Sequence, residues 1–275
     1  MQKESRIECA KATLAVLEAG SYFNASNQRI DLHQALKDSV GNTRLYEASL
    51  LHRASPNKEA KSTKISVTRE TTMQALEAAV KRPGGHVACL NFASAKNAGG
   101  GFLTGAQAQE ESLARSSGLY KCLLTQSQYY ERNRANRSTL YLDLAIYSPA
   151  VPFIRNDSGN LLDKPYLASV ITCPAPNAGA IRQNEPSNVP LIAPTLERRA
   201  HFVLTIAERE GVARLILGAW GCGVFRNDPR LVAATFQRLL QQGGDFHGVF
   251  DEVVFAVYDS SKDGLVYSAF ESVLK

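Results

Sequence analysis

The spacing of apolar residues along the chain alternates between two periods, which predicts alternating helices and strands. The first stripe with helical spacing lies near the amino terminus, at Ile7, Ala10, Leu14 and Leu17. Ser5 and Glu8 have the spacing of a capping box at its start, and Gly20 is the predicted helix end. The sequence therefore predicts a helix that begins near Ser5 and ends at Gly20.

Further along the chain, short apolar or alternating runs predict strands at residues 29–33, 43–46, 64–68, 86–92, 142–147, 166–173, 214–218 and 252–257. Helical spacing predicts helices at residues 72–80, 112–124, 195–210, 231–242 and 265–274. Residues 156–164 are predicted to form an exposed turn. Strands that alternate with helices are typical of a layered α/β domain, in which ligands bind at the carboxyl ends of the strands.

The composition predicts a single globular domain. The chain has 275 residues, of which 44% are hydrophobic, and no apolar run approaches the roughly 18 residues that span a membrane. Residues 1–5 lack the apolar core of a secretion signal. Five scattered cysteines form no CxxC pair, which disfavours a disulfide framework or a metal site and is typical of a reducing compartment. We therefore expect one cytoplasmic domain over residues 1–275.

The formal net charge of +5 has two interpretations. It fits long-range attraction of a polyanionic substrate, and it fits ordinary surface charge. The densest basic cluster contains Arg132, Arg134 and Arg137, and it is predicted to be a solvated helix end or loop. Charge alone therefore does not identify a partner.

The most informative segment follows the strand predicted at residues 86–92. Gly99, Gly100 and Gly101 are consecutive, and glycines permit positive φ and a close approach of backbone N–H groups to a ligand. Asn97 precedes them, either as an amide that binds ribose hydroxyls or as a simple turn former. This loop therefore predicts a binding site for a phosphate-containing ligand.

Two adjacent carboxylates, Glu110 and Glu111, follow Gln109 just before the helix predicted at residues 112–124. An isolated pair of this kind is usually only the solvated start of a helix. Neighbouring helical side chains diverge by about 100°, since a turn takes 3.6 residues. They are therefore not expected to face each other across one bond, as the carboxylates of most glycosidases do. We expect one to be a general acid–base and the other to position the substrate.

A second glycine loop follows the strand predicted at residues 214–218. Gly221 and Gly223 would present backbone N–H donors as an anion-binding nest, beside the positive end of the next helix. The alternative is a tight strand-to-helix turn. The loop matches neither GxGxxG nor GxxxxGK, which disfavours a dinucleotide enzyme or a nucleoside triphosphatase. Cys222 has no evident base partner, and Phe225 either walls a ribose or packs in the core.

Gly99-Gly-Gly101, a seven-residue gap and Gln109-Glu-Glu111 together resemble the signature of poly(ADP-ribose) glycohydrolases. The second loop, residues 218–229, resembles the diphosphate-binding loop of that family, and the flanking segments are similar to its microbial-type branch. The resemblance implies an α/β fold, a macrodomain-like three-layer α/β/α arrangement with a mixed sheet and an added N-terminal helical segment. It also implies a single domain on which residues 1 to about 60 pack as an accessory region.

The resemblance further implies hydrolysis of the ribose–ribose O-glycosidic bonds of poly(ADP-ribose), mainly from the chain end, with release of ADP-ribose and without a cofactor or metal. Glu111 is the implied catalytic acid–base, Glu110 binds substrate hydroxyls, and Gln109 supports their geometry. The other implied substrate-binding residues are Asn97, Gly99, Gly100, Gly101, Gly221, Cys222, Gly223, Val224 and Phe225. The implied substrates are poly(ADP-ribose) or ADP-ribosylated proteins, in the reversal of ADP-ribosylation during a DNA damage response. No membrane and no obligatory nucleic acid partner is expected.

Two alternatives stay open at this point. A macrodomain reader would bind ADP-ribose without turnover, although such a protein has no need of an acid–base at Glu111. A hydrolase of mono-ADP-ribosyl linkages on protein or nucleic acid would use the same residues on another bond. Substrate comparison separates these possibilities.

Overall fold

The structure is a computed structural model that describes residues 1–51 and 62–275. Its strands in these residues are β1 (Ser21–Phe23), β2 (Arg29–Asp31), β3 (Arg44–Glu47), β4 (Lys64–Thr68), β5 (His86–Phe92), β6 (Leu144–Arg155), β7 (Leu161–Cys173), β8 (Val212–Gly218) and β9 (Glu252–Ala256). Its helices there are α1 (Lys3–Ala19), α2 (His33–Gly41), α3 (Thr72–Lys81), α4 (Gln109–Ser116), α5 (Leu119–Leu124), α6 (Ser127–Ala135), α7 (Ala178–Asn184), α8 (Ile192–Arg209), α9 (Pro229–Leu240) and α10 (Leu265–Leu274). Short 3₁₀ turns lie at Ala48–Leu50, Phe102–Thr104 and Pro186–Leu191.

A mixed sheet forms the centre of the described structure, with seven strands in the order β3-β6-β7-β5-β8-β9-β4. The strands from β7 to β4 in this order are parallel, whereas β6 is antiparallel to both β7 and β3. The carboxyl ends of five strands therefore meet at one edge, where the loops after β5 and β8 lie together.

Helices cover both faces of the sheet. Ala88 and Leu90 of β5 belong to a core cluster with α8, α9 and α10. Val87 and Cys89 point the opposite way, into a cluster with α3, α5 and α6. Because both faces are buried, the parallel strands read as continuous apolar runs in the sequence. This arrangement confirms the predicted α/β fold class with three layers and a mixed sheet.

The amino-terminal segment packs on this core. α1 ends at Ala19, and its C-cap residue Gly20 has φ +63°; the small hairpin of β1 and β2 follows. β3 pairs with β6 at the edge of the main sheet, so the first part of the chain contributes a strand to the central layer. Residues 52–60 of the predicted accessory region lie outside the described residues.

Several predicted boundaries agree with the structure, and others were wrong for identifiable reasons. The capping box predicted at Ser5 is absent, because α1 begins at Lys3 and Gln2 provides no side-chain cap. A capping box occurs instead before α3, where the backbone N–H of Gln74 donates to Thr71 Oγ1 at 3.2 Å. α6 and α7 were not predicted, and Arg132 and Arg134 lie in the last turn of α6, as expected of a helix end.

The helix predicted at residues 112–124 is two helices in the structure. α4 begins earlier, at Gln109, and ends at Ser116. Ser117 then accepts from the N–H of Leu119 and donates to the carbonyl of Leu113, which satisfies the groups freed by the break. The N–H of Gly118 donates to Pro152 O of β6. Contact with the sheet therefore divides a segment that has continuous helical spacing.

Pro149 was predicted to end a strand, but β6 continues to Arg155. The register shifts between Ser148 and Val151, and Ala150 has φ +46°, so the proline lies at a bulge where no ladder hydrogen bond is lost. β7 likewise begins at Leu161, inside the predicted turn.

In the described part of the chain, no helix is long and apolar enough to cross a membrane.

Candidate active site

A cleft of about 1350 Å³ opens at the carboxyl edge of the parallel strands. It is lined by the loop after β5, the start of α4, the loop after β8 and the segment after β9. Most of the predicted site residues line it together: Asn97, Gln109, Glu110, Glu111, Gly221, Cys222, Gly223, Val224 and Phe225. The glycines at positions 99, 100 and 101 do not line the cleft, and they contact the two carboxylate-bearing residues instead.

The first loop is a chain of tight turns. Ser94 Oγ accepts from the backbone N–H of Asn97 at 3.1 Å, and Asn97 O accepts from Gly100 N at 3.0 Å. Gly99 and Gly100 have φ of +68° and +60°, a conformation that favours glycine. A Cβ on Gly99 would lie 3.0 Å from the Phe102 ring. The exposed side chain of Asn97 remains on the cleft surface.

Gly100 is the position where the two carboxyl groups meet. A Cβ built on Gly100 would lie 2.9 Å from Glu111 Cδ and 3.2 Å from Glu110 Oε2. Glu111 Oε1 accepts from the backbone N–H of Gly101 at 3.0 Å, whereas Glu111 Oε2 has no hydrogen-bond partner among the described residues. The side chains diverge along α4, as expected, yet both reach the glycine loop. A proton donor in this arrangement has one oxygen anchored and one oxygen without a partner.

Glu110 is buried, with 3% of its surface exposed. Its Oε2 accepts from Ser94 N at 2.6 Å, and its Oε1 lies 3.3 Å from Asn91 Nδ2. Burial raises the pKa of Glu110 to about 8, with a further increase from the charge of Glu111, against the opposing effect of these hydrogen bonds. A carboxyl group with this pKa is largely protonated at neutral pH, so Glu110 can donate as well as accept a hydrogen bond.

Gln109 joins the start of α4 to the end of β5. Its Oε1 accepts from Phe92 N at 2.9 Å, and its Nε2 donates to Leu90 O at 2.8 Å and to Thr72 Oγ1 at 3.2 Å. All the polar groups of its side chain thus have protein partners. The Gln109 side chain therefore holds the two glutamates at the strand end.

The second loop is shaped by two buried side chains. Trp220 Nε1 donates to Cys173 O at 3.0 Å, and Asn227 Nδ2 donates to Pro176 O at 2.8 Å and to Gly221 O at 3.1 Å. Gly221 has φ +71°, and a Cβ there would lie 2.5 Å from Asn227 Nδ2. The loop is therefore fixed in shape before a ligand binds.

This shape leaves backbone donors turned away from the protein. In residues 1–51 and 62–275, no protein acceptor is bonded to the N–H groups of Gly223, Val224 and Phe225. Gly223 is exposed, and a Cβ there would have no neighbour within 4 Å. Successive N–H groups of this kind form an anion-binding nest, and α9 begins directly after the loop at Pro229. The loop can therefore bind a phosphate or diphosphate group.

Two aromatic residues of the cleft have a contact that the sequence did not predict. The ring of Phe225 lies 5.9 Å from that of Tyr141, which also lines the cleft. Tyr258 is 68% exposed on the segment after β9.

Cys222 of the second loop is partly buried, and burial raises the pKa of its thiol to about 12, so it is not a thiolate at neutral pH.

Other residues that line the cleft were not predicted, because only the packing of distant segments brings them there. Thr71, Gln74 and Asp157 line the cleft, and Thr71 Oγ1 donates to Asp157 Oδ2 at 2.7 Å. Asp157 was assigned only to an exposed turn. Tyr141 has φ +61°, which no local pattern around it indicates. Met1 also lines the cleft, because α1 packs against the first glycine loop.

Comparisons with known proteins agree with this geometry. A sequence model of the family described as microbial-type PARG, catalytic domain, matches residues 10–156. The crystal structure of poly(ADP-ribose) glycohydrolase from Thermomonospora curvata is 44% identical, covers 98% of this chain and 99% of its own, and superposes with a TM-score of 0.92. The same enzyme bound to the inhibitor ADP-HPD is 45% identical over 98% of this chain and 99% of its own, with a TM-score of 0.91.

Poly(ADP-ribose) glycohydrolase from Deinococcus radiodurans in complex with ADP-ribose is 44% identical over 87% of this chain and 96% of its own, with a TM-score of 0.80. A comparison with curated protein sequences finds no match.

Proposed function

The chain belongs to the microbial-type poly(ADP-ribose) glycohydrolase family, and we propose that its cleft hydrolyses the ribose–ribose O-glycosidic bond of poly(ADP-ribose) and releases ADP-ribose. The observation that carries this proposal is the meeting of Glu110 and Glu111 at Gly100, in the same cleft as a loop of unpaired backbone donors. The relatives from Thermomonospora curvata and Deinococcus radiodurans, bound to ADP-HPD and ADP-ribose, support ADP-ribose as the ligand.

The binding roles follow from the groups that each loop presents. The N–H groups at Gly223, Val224 and Phe225 bind the diphosphate, and the Phe225 ring walls the ribose that carries the scissile bond. Gly221 gives the loop its turn, and Cys222 contributes backbone rather than thiolate chemistry.

In the loop after β5, Asn97 contacts the hydroxyls of the same ribose. Gly99 and Gly101 hold the turn, and Gly100 leaves room for the two glutamates. Glu110, protonated at neutral pH, binds a ribose hydroxyl.

Glu111 is the proposed catalytic acid–base. Its Oε1 is held by Gly101 N, so the carboxyl group keeps a fixed position in the cleft. Glu111 gives its proton to the leaving 2′-oxygen of the preceding unit as the C–O bond to the ribose breaks. The positive charge on the ribose is stabilised by the bound diphosphate. Glu111 then accepts a proton from the attacking water, which restores the acid, and proton transfer of this kind contributes about 10²–10⁴ in rate.

We propose that cleavage occurs mainly at the chain end. α1 packs against the first glycine loop, where Arg6 Nε donates to Gly105 O at 2.7 Å and a Cβ on Gly105 would lie 2.8 Å from Lys3 O. Met1 lies in the lining of the same cleft as Glu111. This packing supports the expectation that the amino-terminal segment limits the space beyond the terminal unit.

Substrate tests separate this function from its alternatives. Purified protein is incubated with poly(ADP-ribose), with a mono-ADP-ribosylated protein and with mono-ADP-ribosylated nucleic acid, and ADP-ribose affinity is measured by calorimetry. Turnover of polymer supports the glycohydrolase. Turnover of only a mono-ADP-ribosylated substrate supports the second alternative, and binding without any turnover supports the reader.

We also propose a domain organisation, a cofactor requirement and a cellular location for this activity. The chain acts as one domain, with residues 1 to about 60 as its accessory region, and it needs no cofactor, metal or obligatory nucleic acid. The substrates are poly(ADP-ribose) or ADP-ribosylated proteins in the cytoplasm, in the reversal of modification during a DNA damage response. Five scattered cysteines support the reducing compartment.

A further inference from the structure

Tyr141 is held in a backbone conformation that side-chain-bearing residues rarely adopt. It lies between α6 and β6 with φ +61°, and its ring lines the cleft 5.9 Å from the ring of Phe225. A β-carbon makes the left-handed region unfavourable, and such residues persist where the surrounding structure fixes them and are concentrated at functional sites. The contacts around Tyr141 show how it is fixed.

Arg199 of α8 holds the backbone around Tyr141 in place. Its side chain is completely buried, at 0% exposed. Its guanidinium donates to Leu140 O at 2.6 Å, to Tyr141 O at 3.0 Å and to Pro174 O at 2.8 Å. Asp143 balances the charge through a contact of 2.8 Å with Nε. A planar group with several fixed donors thus sets the backbone on both sides of Tyr141.

Glu185 anchors the preceding residues. It accepts from Thr139 N at 2.7 Å, Thr139 Oγ1 at 2.6 Å and Ser138 Oγ at 2.6 Å, and Asn188 Nδ2 donates to it at 2.8 Å. Partial burial opposes ionisation, but these hydrogen bonds outweigh it and lower the pKa of Glu185 to about 2. The carboxylate of Glu185 is therefore ionised at neutral pH.

The same segment is bonded to the second glycine loop through one turn. Asn177 N donates to Thr139 O at 2.9 Å, and Asn177 begins the turn that leads into α7. Gly179 N donates to Phe225 O at 2.9 Å. Residues 138–141, the turn at 174–179 and the loop at 219–228 therefore form a single hydrogen-bonded unit.

We propose that Tyr141 is a positioning residue for the ADP-ribosyl group, which acts by fixing the orientation of the Phe225 ring, and that Arg199 and Glu185 hold Tyr141 in place for this purpose. The inference rests on the proposed function, because it needs Phe225 to wall the ribose. A ring that is free to turn would leave the ribose with more than one orientation toward Glu111. Orientation of a bound substrate of this kind affects the chemical step more than the binding step.

The test is a double-mutant cycle with Tyr141→Ala, Phe225→Ala and the double variant, followed by kcat and KM on poly(ADP-ribose) and by ADP-ribose Kd from calorimetry. We expect Tyr141→Ala to lower kcat/KM about tenfold, mostly in kcat. Adding it to Phe225→Ala should lower kcat/KM by less than about threefold more, because the two rings act together. Tyr141→Phe keeps the ring and should stay within about threefold of the native protein.

Two further variants keep the result interpretable. Tyr141→Gly accepts the positive φ without strain, so it folds where the alanine variant does not, and it should lose the same activity through loss of the ring. Tyr258→Ala is the matched control, since Tyr258 lines the same cleft without a ring contact to Phe225, and its effect should multiply with that of Phe225→Ala.

Wild-type kcat/KM in Tyr141→Gly, or multiplicative effects of Tyr141→Ala and Phe225→Ala, would overturn the proposal. Failure of the proposed function gives a different result, in which the native protein releases no ADP-ribose from polymer. The cycle is then measured on ADP-ribose Kd alone, where the coupled rings still predict non-multiplicative losses. A native protein that neither cleaves polymer nor binds ADP-ribose rejects both proposals.

Discussion

Glu111 Oε1 accepts a hydrogen bond of 3.0 Å from the backbone N–H of Gly101. The proposed acid and the glycine loop are thus one structural unit, although Gly101 and Glu111 lie ten positions apart in the chain. α4 supplies the carboxyl group, and the loop after β5 supplies the donor that holds one of its oxygens. The position of the acid therefore depends on the shape of the loop.

Gly100→Ala is expected to displace this acid without unfolding the protein. The new Cβ would lie 2.9 Å from Glu111 Cδ, at a position with φ +60°. We expect kcat on poly(ADP-ribose) to fall by about 10² or more, since the loss of a positioned acid–base costs about 10²–10⁴. Steady-state kinetics with native circular dichroism as the fold control measures this.

Gly84→Ala is the matched control for backbone strain. Gly84 has a similar φ of +70°, a Cβ there would have nothing within 4 Å, and the residue does not line the cleft. It should carry about the same backbone strain, without the clash at Glu111, and keep native kcat. Equal losses of kcat in the two variants would show that strain, rather than displacement of Glu111, causes the effect.

Gln109→Glu is expected to lower both stability and activity. The substitution replaces the amide that donates to Leu90 O and Thr72 Oγ1 with a carboxylate oxygen, which leaves a buried carbonyl without its donor. A lost partner of this kind costs about 1–3 kcal/mol in the free energy of unfolding. Urea unfolding and kcat/KM, measured on the same preparation, test both effects.

Gln107→Glu makes the same chemical change on the cleft surface. Gln107 is exposed, and its Oε1 already accepts from Arg115 Nη2 at 2.6 Å, so a carboxylate keeps that contact. Its free energy of unfolding should change by less than about 0.5 kcal/mol. A stability loss as large as that of Gln109→Glu would contradict the role given to Gln109.

Glu110 should make stability depend on pH. Its pKa is about 8 in the folded protein and about 4.3 in an unfolded chain. Between these values the folded state holds a proton that the unfolded state has released, so stability falls as pH rises through this window and is constant outside it. At about 1.4 kcal/mol per pKa unit, the total fall is on the order of 5 kcal/mol.

Glu110→Gln removes this titration, and urea unfolding of both proteins between pH 5 and pH 9 measures the difference. The stability of the variant relative to the native protein should increase as pH rises. All other titrating groups are shared, so they cancel in the comparison. Parallel curves across the range would show that Glu110 is not the buried protonated group.

The sequence predicted the fold well where a pattern is set by burial on both sides. β5 and α10 have the predicted bounds, because a continuous apolar run and helical spacing between turn residues leave no other assignment. β4, an edge strand, has the bounds that its alternating residues predicted. The division of α4 from α5 was missed, since Ser117 and Gly118 are fixed by contacts with β6 that no local spacing records.

The site was predicted through resemblance more than through chemistry alone. The two glycine loops indicated the glycohydrolase family, which the comparisons confirm. Most of the predicted site residues line the cleft, but Gly99, Gly100 and Gly101 lie behind it, against the two glutamates. The adjacency of the two glutamates in the sequence also suggested that they take different roles. Burial of Glu110 and the left-handed Tyr141 depend on packing between distant segments, so neither was predicted.

The most direct test is chromatography of the products that the native protein and Glu111→Gln release from poly(ADP-ribose), with ADP-ribose Kd measured for both. Glutamine keeps the acceptor for Gly101 N but cannot exchange a proton with the leaving oxygen or water. We predict free ADP-ribose from the native protein, a rate at least about 10² lower in the variant, and similar Kd values. Equal rates would contradict the assignment of Glu111, and no ADP-ribose from the native protein would contradict the proposed function.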